Sequence, residues 1–338
     1  MDTGEITVRR AIVHILDSTI EMPVLSDLET PLNNDLKEFL SKHILKVFKD
    51  DSVKKVYFND ENNRIKNNTD KLKEGEEDFI RITKDIAYEV HKLIKENPTI
   101  PSADLVCVYF KKENSMYFGA LKFNYKDSYI HFIEEGNLGR TNTIIKQKTA
   151  LPTAGQKIDE CFLINLTEDF ILLKEKKFDI EGVKQFYLSN TLLNTTDVLS
   201  DKEKINIINK ASKNVVKKYY DGDVKKMAEI KSAIEEEFDN EGSIDIQKVT
   251  NRAFKDNLEI QKAYSEEVEK RGLTDKEVNV SENVEKKVRK RQRLVTDDGI
   301  EIKLPAAYLT RDDKVEFLSN PDGTVSIVLK NINSIEDK

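Results

Sequence analysis

Six of the eight residues from Lys286 to Arg293 are cations: Lys286, Lys287, Arg289, Lys290, Arg291 and Arg293, interrupted only by Val288 and Gln292. The 338-residue chain carries a formal net charge of −7, so this dense basic run sits in a sequence that otherwise repels polyanions. Such a cluster points to phosphate-bearing polymers, meaning nucleic acid. If a strand reaches back to residue 287, its two-residue period places Lys287, Arg289, Arg291 and Arg293 on one face. Spaced about 6.6 to 6.8 Å apart along a strand, the four match the phosphates of an extended single strand and fit a duplex backbone loosely. The closest aromatics are Tyr308 and Phe317, which supply no stacking platform, and no helix-turn-helix or zinc-finger spacing occurs. Backbone contact without sequence readout is the expectation. The blander alternative is a solvated charge run, or one that meets an acidic protein partner.

Other chemistry-bearing residues are sparse. Glu301-Ile302-Lys303 fits the bare acid-x-Lys arrangement of metal-dependent nucleases, but a two-metal site needs several convergent carboxylates, and Asp297 and Asp298 belong to the adjoining turn. Glu76, Glu77 and Asp78 have a structural reason, since carboxylates favour a helix start. His14, His43, His91 and His131 are scattered singly, without the His-Cys spacing of a zinc site. Cys107 and Cys161 lie in apolar runs, which suits buried thiols and neither a disulfide nor a nucleophile. Gly136 and Gly139 flank Asn-Leu in an ordinary turn and lack the Lys-Ser/Thr of a nucleotide loop. The expectation is a non-enzymatic protein with no metal and no cofactor.

The elements that must position the basic run follow from periodicity. Thr30-Pro31 reads as N-cap and first helical residue, followed by Leu32, Leu36, Phe39, Leu40, Ile44, Val47 and Phe48 at helical spacing. A second helix runs through Phe79, Ile82, Ile86, Val90, Leu93 and Ile94 to Asn97-Pro98, and the asparagine-rich Asn59–Asp70 between them reads as a solvated loop. Six short apolar runs from Asp104 to Lys177 read as strands of one largely antiparallel sheet covered by those helices. From residue 184 to 272 the pattern is helical, opened by the capping box Ser200-Asp201-Lys202-Glu203. Past Gly272 come a polar linker, the basic run and two hairpins marked by Asp297-Asp298-Gly299 and Asn320-Pro321-Asp322-Gly323. The chain thus reads as α+β: an N-terminal mostly antiparallel sheet with helices (1–183), a helical middle region (184–272), and a C-terminal β-hairpin module entered through the basic strand (273–338).

Charged residues make up 35% and apolar ones 38%, no Trp is present, and no run approaches the length of a membrane span. The first residues lack the basic and apolar regions of a signal peptide, so a cytoplasmic protein is expected.

Several local sequences together resemble the bacterial 37-kilodalton nucleoid-associated protein family. They include Arg10-Ala11-Ile12-Val13-His14-Ile15-Leu16-Asp17, Gly75-Glu76-Glu77-Asp78-Phe79, Ile100-Pro101-Ser102-Ala103-Asp104-Leu105-Val106 and Ile144-Ile145-Lys146-Gln147-Lys148-Thr149. Further on come Glu175-Lys176-Lys177-Phe178, Thr296-Asp297-Asp298-Gly299-Ile300-Glu301-Ile302, and Val315 to Thr324. Each is unspecific alone; their order and spacing carry the resemblance over the full length. It implies a cytoplasmic protein of the bacterial nucleoid that binds DNA with little sequence preference. The family's basic stretch falls on Lys286 to Arg293, and no catalytic residue is implied. A homodimer is expected on physical grounds, because one ridge alone gives modest non-specific affinity and two would double the phosphate contacts.

Overall fold

The computed structural model describes residues 5–75, 78–136, 139–255, 257–281, 284, 292–304, 306–309, 311 and 313–334. Two units divide the chain, Met1–Val198 and Leu199–Lys338.

In the first unit, elements follow in the order β1 (Ile6–Leu16), α1 (Asn34–Phe48), β2 (Lys54–Val56), α2 (Arg64–Glu74), α3 (Phe79–Glu96), β3 (Ala103–Lys112), β4 (Ser115–Asn124), β5 (Lys126–Gly136), β6 (Gly139–Ala150), β7 (Glu160–Asn165), β8 (Ile171–Lys174), β9 (Lys177–Ile180) and β10 (Val183–Phe186). A π-helical segment, Leu188–Leu193, follows. Six strands form one antiparallel sheet in the order β1-β3-β4-β7-β8-β2. Helices pack on both faces of the sheet, so its central strands are apolar on both sides, and all six residues of β7 are buried. On one face, Leu40, Ile44 and Val47 of α1 meet Val106, Val108, Phe110, Leu121, Phe123 and Leu163. On the other, α3 presents Phe79, Ile82, Ile86, Val90 and Ile94, three or four residues apart, to Cys107, Phe118, Ala120 and Phe162. The two cysteines therefore belong to opposite faces, and both are free and buried.

Three local readings need correction. Helix α1 is capped by Asn33, whose side chain accepts from the Leu36 amide at 2.8 Å, and not by Thr30. Asn59–Asp70 is not a loop throughout. The Asn63 side chain accepts from the Ile65 and Lys66 amides and starts α2, whose sparse apolar residues Ile65 and Leu72 are buried in the sheet's core. The runs expected to supply two further strands of the main sheet form β5 and β6, which pair only with each other among the described residues. Strand β4 pairs directly with β7, leaving the β5–β6 ribbon as an excursion between two neighbouring strands.

The second unit begins at the Ser200 capping box, where the hydroxyl accepts from the Glu203 amide and the Glu203 carboxylate accepts from the Ser200 amide at 2.8 Å. It contains α4 (Asp201–Tyr219), α5 (Val224–Glu241), β11 (Ile244–Asp245), α6 (Ile246–Ala253), α7 (Leu258–Lys270), β12 (Glu277–Val278), β13 (Gln292–Val295), β14 (Glu301–Leu304), α8 (Ala306–Leu309), β15 (Val315–Ser319) and β16 (Val325–Leu329). The helices share a core of Ile208, Val215, Ile230, Ile234, Phe238, Val249, Phe254 and Tyr264. A smaller cluster joins Ala228 of α5 to Leu309 and Val315, with Leu294, Leu304, Phe317 and Ile327 packed against it. That cluster fixes both C-terminal hairpins to the helical part of the same unit. The middle region is not wholly free of strands, since β11 and β12 pair through Ile244↔Val278 and Asp245↔Glu277.

Candidate nucleic-acid interface

The chain approaches the basic run through a series of anchors. After α7, Val278 pairs with Ile244, the Ser281 amide donates to the Asp201 carboxylate at 2.8 Å, and Val284 is buried. Lys286, Lys287, Arg289, Lys290 and Arg291 lie outside the described residues, as do Glu76 and Glu77. Strand β13 follows and contains Arg293. The run is thus bracketed by a buried apolar residue on one side and a paired strand on the other.

Register across β13 and β14 pairs Gln292 with Leu304, Arg293 with Lys303, Leu294 with Ile302 and Val295 with Glu301. Leu294 and Leu304 pack into the cluster on α5. Facing residues of an antiparallel pair share a side, and alternate residues take the other. Arg293 and Lys303 therefore hold positions out of phase with the apolar ones, and the Lys303 side chain is 61% exposed. Lys303 is a cation that charge-run reasoning missed, because it stands ten positions beyond Arg293. The alternation in Glu301–Leu304 was the signal that could have placed it. At the turn, the Thr296 amide donates to the Ile300 carbonyl at 3.0 Å, and Gly299 takes φ +92°, a left-handed backbone that favours glycine.

The acid-x-Lys residues lie on β14. Glu301 and Lys303 stand 4.0 Å apart on the same exposed strand. The Asp298 carboxylate accepts from the Thr296 hydroxyl, which holds it below its usual range. Among the described residues, no three His, Cys, Asp or Glu side chains are placed to share a metal ion.

Several cations elsewhere are engaged locally. Lys174 and Lys157 bind Asp50 at 2.8 and 3.0 Å, and Lys176 binds Asp159 at 2.9 Å. Burial acts to raise the Asp50 carboxyl, but Lys174, the Ser52 amide and Lys157 together hold it well below the usual range. In the second unit a cavity of about 670 Å³ is lined by Lys226 and Arg252 among others. Lys226 binds Glu229 at 2.8 Å and donates to the Ala253 carbonyl, while Arg252 binds Glu236 at 2.9 Å.

The sequence model of the family described as nucleoid-associated protein YejK matches residues 12–336. The chain belongs to that family. The match runs through the sheet unit, the helices and both C-terminal hairpins, so the family assignment rests on the whole chain and not on the basic run alone. No curated protein matches the chain significantly. Among the described residues, no helix is long and apolar enough to cross a membrane.

Proposed function

We propose that this chain is a non-enzymatic DNA-binding protein of the bacterial nucleoid. It holds duplex DNA through the phosphate backbone, with little sequence preference, using Lys286, Lys287, Arg289, Lys290, Arg291 and Arg293. The observation that carries the reading is the concentration of six cations in eight residues of an acidic chain that belongs to a nucleoid-associated family. One feature supports it. The run enters a hairpin whose apolar residues Leu294 and Leu304 are packed, which leaves the alternate positions for ligand. Lys303 stands in register with Arg293, with Glu301 4.0 Å away.

No cofactor is needed, because neutralising phosphates and releasing their counterions supplies the affinity. The protein resides in the cytoplasm, at the nucleoid. The reading extends to a homodimer, in which two ridges hold the polymer with twice the phosphate contacts. Retention of the full chain on DNA-cellulose at low and moderate salt tests the function. A DNA binder elutes late and moves earlier as salt rises, whereas an adaptor that meets acidic proteins passes through. Parallel binding to duplex, single-stranded DNA and RNA identifies the polymer. Metal-dependent cleavage lost in Glu301→Ala and Lys303→Ala would instead reveal a nuclease.

A further inference from the structure

The β5–β6 ribbon exposes apolar side chains on both of its faces. Tyr129 is 71% exposed and Ile144 74%, and Ile130, Phe132, Ile133 and Ile145 are also exposed. Register pairs Ile130 with Ile145 and His131 with Ile144. Ile130, Phe132 and Ile145 therefore share one face, and Tyr129, Ile133 and Ile144 share the other. An isolated two-stranded ribbon is marginal in water, and apolar groups on both its faces mark an interaction surface.

We propose that this ribbon is a dimerisation arm, clasped by the arm of a second copy of the chain running antiparallel to it. The proposal deepens the homodimer part of the function above and rests on that reading for its purpose, though not for its test.

Charge argues for a second copy. A ribbon of eleven- and twelve-residue strands is about 37 to 40 Å long and about 10 Å wide, or on the order of 400 Å² per face. Face-to-face packing of two arms covers one face of each, on the order of 400 Å² per partner, the size of a weak, reversible interface. The charges are polarised along the arm. Near the tip Glu134 and Glu135 are joined by Arg140, a net −1, whereas near the root Lys126, Lys146 and Lys148 are joined by Asp127, a net +2. A twofold axis near the His131–Ile144 pair brings each acidic tip to the other copy's basic root, so the arm is complementary to itself. Duplex DNA fits less well. The acidic tip opposes phosphate, and the four Lys/Arg and three Asp/Glu of the arm leave it a net charge of only +1.

The test is the mass of the full chain in solution without nucleic acid, by light scattering and sedimentation. Because no DNA is present, failure of this proposal and failure of the DNA-binding reading are separate outcomes. The wild type is expected at twice the 39.0 kDa chain mass at tens of micromolar. Ile144→Glu, which sets two carboxylates face to face at the axis, is expected to give a monomer with unchanged circular dichroism. Reversing the tip (Glu134→Lys with Glu135→Lys) or the root (Lys146→Glu with Lys148→Glu) should each weaken the dimer at least tenfold. Mixing the tip-reversed and root-reversed proteins should restore it as a heterodimer. A wild type at monomer mass, a dimer indifferent to Ile144→Glu, or no rescue on mixing would overturn the proposal. Arm variants that lose DNA affinity at unchanged monomer mass would reassign the ribbon to nucleic acid.

Discussion

Glu160→Gln removes one charge from a pair sealed inside the sheet, at the place where the β5–β6 ribbon departs. Glu160 and Lys122 are register partners across β7 and β4, their side chains are 0% and 3% exposed, and they stand 2.8 Å apart. Asn124 completes the unit, accepting from Lys122 at 2.6 Å and donating to Glu160 at 3.1 Å. Glutamine keeps the volume and an acceptor oxygen but leaves the Lys122 ammonium buried without its counter-charge. Breaking a buried pair in this way costs about 3 to 5 kcal/mol. Replacing both partners, by Lys122→Met with Glu160→Leu, should cost much less than either single change. Native-state hydrogen exchange on the β4 and β7 segments reads the loss locally. At 1.4 kcal/mol per decade, Glu160→Gln should exchange roughly two to four decades faster than wild type. Burial holds the Lys122 ammonium below its ordinary range. The unfolded chain therefore binds a proton more tightly than the folded one, and the variant should recover stability as pH rises toward the ordinary lysine range. Exchange accelerated less than tenfold, or a deficit that grows with pH, would refute the reasoning.

Three further outcomes follow from the same packing. His14 and His43 are fully buried, and burial, aided by Lys84 and Lys46 respectively, lowers each to about 4. The unfolded chain takes these protons first, so stability is lost as pH falls from about 6.5 toward 4. His43→Leu should flatten the slope of unfolding free energy over that window by up to about 1.4 kcal/mol per pH unit, measured by urea unfolding at several pH values. Burial pushes the Cys161 thiol up to about 12 and raises Cys107 as well, so neither should react with a disulfide reagent until the chain is unfolded, when both should. Gly119→Ala places a methyl 2.8 Å from Leu163 Cδ2 and 2.9 Å from Val108 Cγ2, and overpacking should lower stability by about 1 to 3 kcal/mol in thermal or urea unfolding.

Several local signals in the sequence matched the structure, although the Thr30-Pro31 cap did not, because Asn33 takes that role. The Ser200–Glu203 box needs only four residues, and the turns at Gly299 and Gly323 need only their own glycines. Helix α3 was legible because its buried residues recur with the helical period. Helix α2 was obscured because a polar helix resting on Ile65 and Leu72 looks like a solvated loop until a core is there to receive it. The ribbon was misplaced because strand pairing is a long-range choice. The runs at 129–133 and 143–148 read as sheet strands, and nothing within them states that β4 will pair with β7 instead. At the candidate interface, the charge run was plain from composition, whereas Lys303 entered only through the register with Arg293.

The most direct test of the DNA-binding reading is the affinity of the full chain for duplex DNA as a function of salt. If the six cations of Lys286 to Arg293 meet phosphates, the slope of log affinity against log salt should be about −5, and it should collapse when Arg289, Lys290, Arg291 and Arg293 are changed to Glu. A slope near zero, or binding undiminished in that variant, would contradict the account.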